Sequence, residues 1–163
     1  MCLYSEAIEY LYTANSFSLS TEADEQPTID YLSYYLLPQR LTQIRDLYFY
    51  WELDNYLYGS LASVLEGGFN QWFQSWDVLS KMAGLRHLNI RLSFRLSRHI
   101  DFYDALWKGK GQEILEPVKR VTAPREFVIT LPDIRCSTDI DVGESKCIFR
   151  LPKDDATDDD DTL

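Results

Sequence analysis

Covalent catalysis by a serine or cysteine needs a base within hydrogen-bond reach, most often histidine. The chain has two histidines, His87 and His99, and three cysteines, Cys2, Cys136 and Cys147. No G-x-S-x-G elbow presents a serine for attack. His87 occupies the position that Asp46 and Glu126 hold in two related stretches, which predicts a solvated junction residue. His99 falls in a basic run with Arg95 and Arg98 and is expected at the surface. The cysteine count is odd and no pair has C-x-x-C spacing, so reduced thiols of an intracellular protein are expected rather than a zinc or redox site. Lys108-Gly109-Lys110-Gly111 is basic but lacks the spacing of a phosphate-binding turn, and reads as a loop. In Asp139-Ile140-Asp141-Val142-Gly143-Glu144 the glycine comes at position five and no glutamate follows at twelve, so an acidic turn is expected rather than a calcium loop. No cofactor and no metal are expected.

The residues best suited to binding lie on three related stretches. Ile44-Arg45-Asp46-Leu47-Tyr48-Phe49 corresponds to Leu85-Arg86-His87-Leu88-Asn89-Ile90 and to Pro124-Arg125-Glu126-Phe127-Val128-Ile129, at offsets of 41 and 39 residues. Ser16-Phe17-Ser18-Leu19 is a shorter first copy. Beyond each arginine the chain alternates. Leu47, Phe49, Trp51 and Leu53 point one way, as do Leu88, Ile90, Leu92 and Phe94, and Phe127, Ile129 and Leu131. Period two with one apolar face is a half-buried strand. The other face then carries Tyr48, Tyr50 and Glu52 beside Asn89, Arg91, Ser93 and Arg95, with Val128 and Thr130 on the third stretch. Tyrosine and arginine are favoured interface anchors because they bury large area while keeping polar handles. These seven residues, Tyr48 to Arg95, are the candidate partner-binding set. Arg45, Arg86 and Arg125 are expected to clasp helix ends or carboxylates.

Helical spacing fills the intervals. Phe69, Trp72, Phe73, Trp76, Leu79 and Met82 form one stripe, with Gly84 expected to stop the helix. Leu3, Ala7, Ile8 and Leu11 form an earlier stripe; Ile29, Leu32, Tyr35 and Leu36 form another, limited by Pro38. Phe102, Tyr103, Leu106 and Trp107 predict a short helix broken at Gly109 and Gly111, restarting at Ile114. Helix and strand alternate four times, which requires parallel pairing. The expected fold is α/β: irregular helix–strand repeats forming a small, mainly parallel sheet with helices on one face, leucine-rich-repeat-like. A last strand, Cys147 to Leu151, follows a turn at Gly143. Residues 1–152 read as one domain and residues 153–163, rich in aspartate, as a disordered tail.

The chain has 163 residues and a net charge of −10, unevenly spread: −9 over residues 1–80, +6 over 81–125 and −7 over 126–163. An acidic chain repels phosphate backbones, so nucleic acid is not the expected partner. No run of apolar residues is long enough for a membrane span, and no secretory signal is expected.

Cys2-Leu3-Tyr4-Ser5-Glu6-Ala7, then Leu11-Tyr12 and Asn15-Ser16-Phe17, with the later Leu85-Arg86-His87-Leu88 strand, resemble a large family of fungal domains of unknown function, family 7730. That family typically shows Cys-Arg-x-Ile-Tyr-x-Glu-Ala, Leu-Tyr and Asn-x-Phe, often after an F-box-like segment. Here the arginine after the cysteine is missing and the chain starts inside the motif, which implies a copy truncated at its N-terminus. The resemblance implies the fold class and an intracellular fungal setting, cytoplasmic or nuclear, and transfers no catalytic residue.

The expected function is a non-enzymatic module that binds a protein partner through the open sheet face, related by resemblance to the substrate-reading part of an F-box adaptor. The alternatives are an enzyme with a cleft at the strand ends, or weak RNA binding through the basic middle with Tyr48 and Tyr50 stacking on bases.

Overall fold

Alternating apolar residues can bury one face of a strand only if something else covers it. The computed structural model describes residues 3–20, 28–52, 69–93 and 100–153. It shows how that cover is built. Five strands, β1 (Ser16–Ser20), β2 (Asp46–Glu52), β3 (His87–Ser93), β4 (Glu126–Thr130) and β5 (Cys147–Arg150), form one sheet in chain order. Every pairing is parallel. The sequence repeat becomes spatial register, with Asp46 opposite His87 and His87 opposite Glu126.

Parallel neighbours need a crossover to return the chain to the same end of the sheet. Helices α2 (Thr28–Tyr35) and α3 (Pro38–Leu41) serve β1 to β2, and α4 (Phe69–Lys81) serves β2 to β3. Helix α5 (Ile100–Leu115) with a 3₁₀ turn (Glu116–Arg120) serves β3 to β4. Helix α1 (Leu3–Thr13) precedes β1. The last crossover, residues 131–146, contains neither helix nor strand. The fold class is therefore α/β with an all-parallel sheet.

The core lies between the sheet and its crossovers. Leu47, Leu88 and Phe127 form one buried row across the strands, and Phe49, Ile90 and Ile129 the next. Trp51 and Leu92 continue it toward the strand ends. Trp51 packs on Trp72 and Trp76 of α4, with ring centroids 4.1 and 5.7 Å away. Trp72 Nε1–H donates to the Ile114 carbonyl at 2.8 Å, tying α4 to the end of α5. Side chains of this size each contribute about 1.5–3 kcal/mol on burial, so this cluster is a main source of cohesion.

The repeated arginines mark a repeated junction. The Arg45 carbonyl accepts from the N–H groups of both Arg86 and His87, and the Arg86 carbonyl from those of Arg125 and Glu126, at 2.8–3.0 Å. The Arg45 guanidinium donates to the Gly84 carbonyl at 2.8 Å, in the turn beyond α4. Gly84 differs from its expected role as a helix stop. Helix α4 ends at Lys81, and Gly84 does not adopt positive φ. A Cβ there would overlap the Thr42 carbonyl, so the close approach of two turns requires glycine.

Three helical expectations also change. Helix α5 runs unbroken through Gly109 and Gly111. Each glycine costs about 1 kcal/mol in a helix interior; burial of Trp107, Ile114 and Leu115 on either side of the pair offsets that cost. In α2, Ile29 is buried and Leu32 and Leu36 pack against the core, but Tyr35 is 79% exposed. The helix ends at Tyr35, and Pro38 opens α3 as its first residue. In α1, Ala7 and Leu11 of the expected stripe are exposed, and Tyr12 instead stacks on Phe17 of β1 at 5.9 Å.

Candidate functional site

The face of the sheet away from the helices is built by the same alternation that fills the core. Register places Ser18, Tyr48, Asn89, Val128 and Ile148 in one row across all five strands. Ser20, Tyr50, Arg91, Thr130 and Arg150 form the next. Tyr48 is 50% exposed and Ile148 58%. Arg91 and Arg150 are exposed, and Tyr50, Asn89, Val128 and Thr130 are half-buried. With strands about 4.8 Å apart, the two arginines stand about 10 Å from each other along the row.

Of the seven residues singled out from the sequence, five line these two rows or their end: Tyr48, Tyr50, Asn89, Arg91 and Ser93. Ser93 is half-buried and opposite Glu52 at the strand ends. Glu52 shares that end but is buried, at 7% exposure, so it is not open on the face. Arg95 lies outside the described residues, as do His99 and the aspartate-rich tail. Val128 and Thr130 were already outward by parity in the third stretch. The same parity, applied to the last strand, finds Ile148 and Arg150.

At the start of the strands the face carries an acidic and imidazole row. His87 Nδ1 hydrogen-bonds to Asp46 Oδ1, and His87 Nε2 stands 3.9 Å from Glu126 Oε1. His87 is exposed, as its junction position predicts. Its strand neighbours at this level are Asp46 and Glu126, with Ser16 beyond Asp46 on the edge strand. The face is therefore polarised: carboxylates at the start of the strands, guanidinium groups toward their ends.

The two described thiols are on the core side. Cys136 and Cys147 are buried, and burial pushes the Cys147 thiol up to about 12. No group of three or more histidine, cysteine or acidic side chains suited to a metal ion occurs among the described residues. No described helix is long and apolar enough to cross a membrane.

An all-parallel α/β sheet in chain order, with crossovers on one face and a tyrosine- and arginine-bearing open face, defines the class of protein. The chain belongs to a family described as a domain of unknown function (DUF7730), matched over residues 1–152. No curated protein and no solved structure matched it.

Proposed function

We propose that the chain is a non-enzymatic protein-interaction module and that its partner docks on the open sheet face. The observation that carries this reading is the pair of in-register rows, Tyr48–Asn89–Val128–Ile148 and Tyr50–Arg91–Thr130–Arg150. Soluble proteins rarely leave contiguous large apolar groups open without a use. Here exposed Tyr48 and Ile148 flank the row, with two cations above them. A partner segment with apolar side chains and carboxylates about 10 Å apart fits this pattern.

In this reading the helix–strand units form a short leucine-rich-repeat-like array, with the open face as its binding surface. Placement beside an F-box adaptor, and in the cytoplasm or nucleus of a fungal cell, extends the same proposal.

The test is affinity capture with three forms of the chain: native, Tyr50→Ala/Arg91→Ala, and Lys81→Ala on the exposed side of α4. All three are expected to keep the native circular dichroism spectrum, because none of these side chains is in the core. A partner held by the native and Lys81→Ala forms and released at least tenfold by the double variant supports the face. Equal retention by all three forms assigns binding elsewhere.

A further inference from the structure

An exposed cation with a carboxylate beside it is largely satisfied, whereas one without is free to attract another anion. Lys81, Lys110, Lys119 and Arg135, on the helices, the 3₁₀ turn and the last crossover, each pair with a carboxylate. Arg91 and Arg150, on the open sheet face, are exposed and have no carboxylate partner among the described residues. The two share one row of the register, about 10 Å apart. Arg150 is the last residue of β5. Because all the strands run the same way, this row lies at the end of the sheet from which the chain leaves β5. Asp46 and Glu126 hold the opposite end.

Lys153, three residues beyond Arg150, is the last described residue. Pro152 has no N–H for a further ladder bond, so β5 is not prolonged. The ten residues that follow, 154–163, hold six aspartates and no cation. We propose that this acidic segment docks in cis on Arg91 and Arg150 and competes there with the partner proposed above for the open face. The competition rests on that reading of the face; the docking does not.

Length and charge both fit. Ten extended residues reach about 33 Å, whereas β3 lies about 10 Å from β5 and β2 about 14 Å. Asp155 and Asp158, three residues apart, span about 10 Å when extended, the separation of the two guanidinium groups. Asp155 therefore meets Arg150, and Asp158 to Asp161 meet Arg91. Only Ala156 and Leu163 of the segment are apolar, so charge carries the contact. Each exposed ion pair is weak. The tether compensates by holding the aspartates at an effective concentration of order 1 mM. Toward the start of the strands the same segment would meet Asp46 and Glu126 and be repelled. A partner that offers carboxylates at the same spacing has to displace it.

The test places a nitroxide on Thr162→Cys in the full ¹⁵N-labelled chain with Cys2→Ser; Cys136 and Cys147 are buried and stay unlabelled. The amides of Asn89 and Arg91 are expected to lose intensity, and that of Gln74, on the helix side, to lose much less. The loss at Arg91 is expected to fall about twofold or more in Arg91→Gln/Arg150→Gln and when the six aspartates are replaced by asparagine. It is expected to fall similarly at about 0.5 M NaCl, where the screening length is about 4 Å. Both sets of substitutions are at positions outside the core and are expected to leave the circular dichroism spectrum unchanged. A loss that none of the three changes reduces, or one centred on Arg86 and Arg125, overturns the docking. A loss that appears equally when unlabelled spin-bearing chain is mixed with ¹⁵N chain assigns the segment to a second copy and overturns the cis arrangement. In affinity capture, the form with six asparagines is expected to hold the partner at least threefold more tightly than the native chain. Equal or weaker retention overturns the competition. No partner held by either form overturns the open-face reading and the competition with it, whereas the spin label alone decides the docking.

Discussion

Gly84 shows how one residue can be indispensable for a reason that periodicity does not reveal. The backbone of its turn runs against that of Thr42, and the Arg45 guanidinium caps the same turn. Adding a methyl group forces two backbones apart, and overpacking of this kind costs about 1–3 kcal/mol or more. Gly109 is the natural contrast: a Cβ at its position meets nothing within 4 Å. Alanine there regains the helix propensity that glycine gives up, about 0.5–1 kcal/mol. Thermal unfolding of the two single variants is expected to move in opposite directions, Gly84→Ala down and Gly109→Ala up, by about 2–4 °C for each kcal/mol in a chain of this size. The glycines were visible as breakers in the sequence, but their roles were exchanged: the expected helix stop is a contact glycine, and the expected break is inside a helix.

At the scale of elements, the crossover 131–146 replaces a helix with a segment fastened by charge and hydrogen bonds. The Asp141 carboxyl is held below its ordinary value of 3.8 by the hydrogen bond from Lys119, aided by Gly143 N–H at 3.0 Å. A depressed carboxylate pKa means that its contribution is present above the unfolded value and is lost as pH falls through the folded one. Lys119 is shifted up from 10.5 by the hydrogen bonds to Asp141 and Glu116, so its contribution is present below that value and is lost at higher pH. Asp141 is exposed and Lys119 only half-buried, so the effect on stability is small. The expected outcome is a loss of order around Gly143 only below about pH 4, read as a shift of its amide resonance. In Asp141→Asn that acid transition is expected to disappear while the neutral-pH shift already differs. The Asp139–Glu144 stretch was legible as an acidic turn at Gly143. Its fastening to Lys119 and Gln112 was not, since those partners lie 22 and 29 residues away and only the chain's return brings them together.

For the whole molecule, stability depends on position within the row of strands. Ile90 and Phe149 belong to the same apolar row, Ile90 on the central strand and Phe149 on the edge. Ile90 is fully buried between neighbours on both sides, whereas Phe149 is partly buried with a neighbour on one side. Truncating a fully packed aliphatic side chain costs about 2–5 kcal/mol. Denaturant unfolding is expected to show that full loss for Ile90→Ala. Phe149→Ala is expected to lose less, although phenylalanine is the larger side chain. In an array whose units touch only their neighbours, an edge change is felt by one interface and a central change by two. Equal losses at both positions would indicate that the sheet does not behave as such an array.

The sequence by itself determined the strands, their outward and inward faces, their parallel order and the helix that carries Trp72 and Trp76. Each of these follows from local periodicity, or from the need for a crossover between like-directed strands. The three Ile/Leu/Pro-Arg-x stretches fall in register in the structure, because equal positions in a repeat stand opposite one another when the units stack. What the tertiary structure alone decided is what a one-dimensional pattern cannot encode: which neighbour occupies the space beside a residue. Glu52 alternates outward yet is buried, and Trp107 sits in an apolar stripe yet its indole N–H has no partner among the described residues. Gly84 is required by a turn 42 residues earlier in the chain, at Thr42. Those properties depend on distances between segments remote in sequence, and such distances exist only once the core has closed.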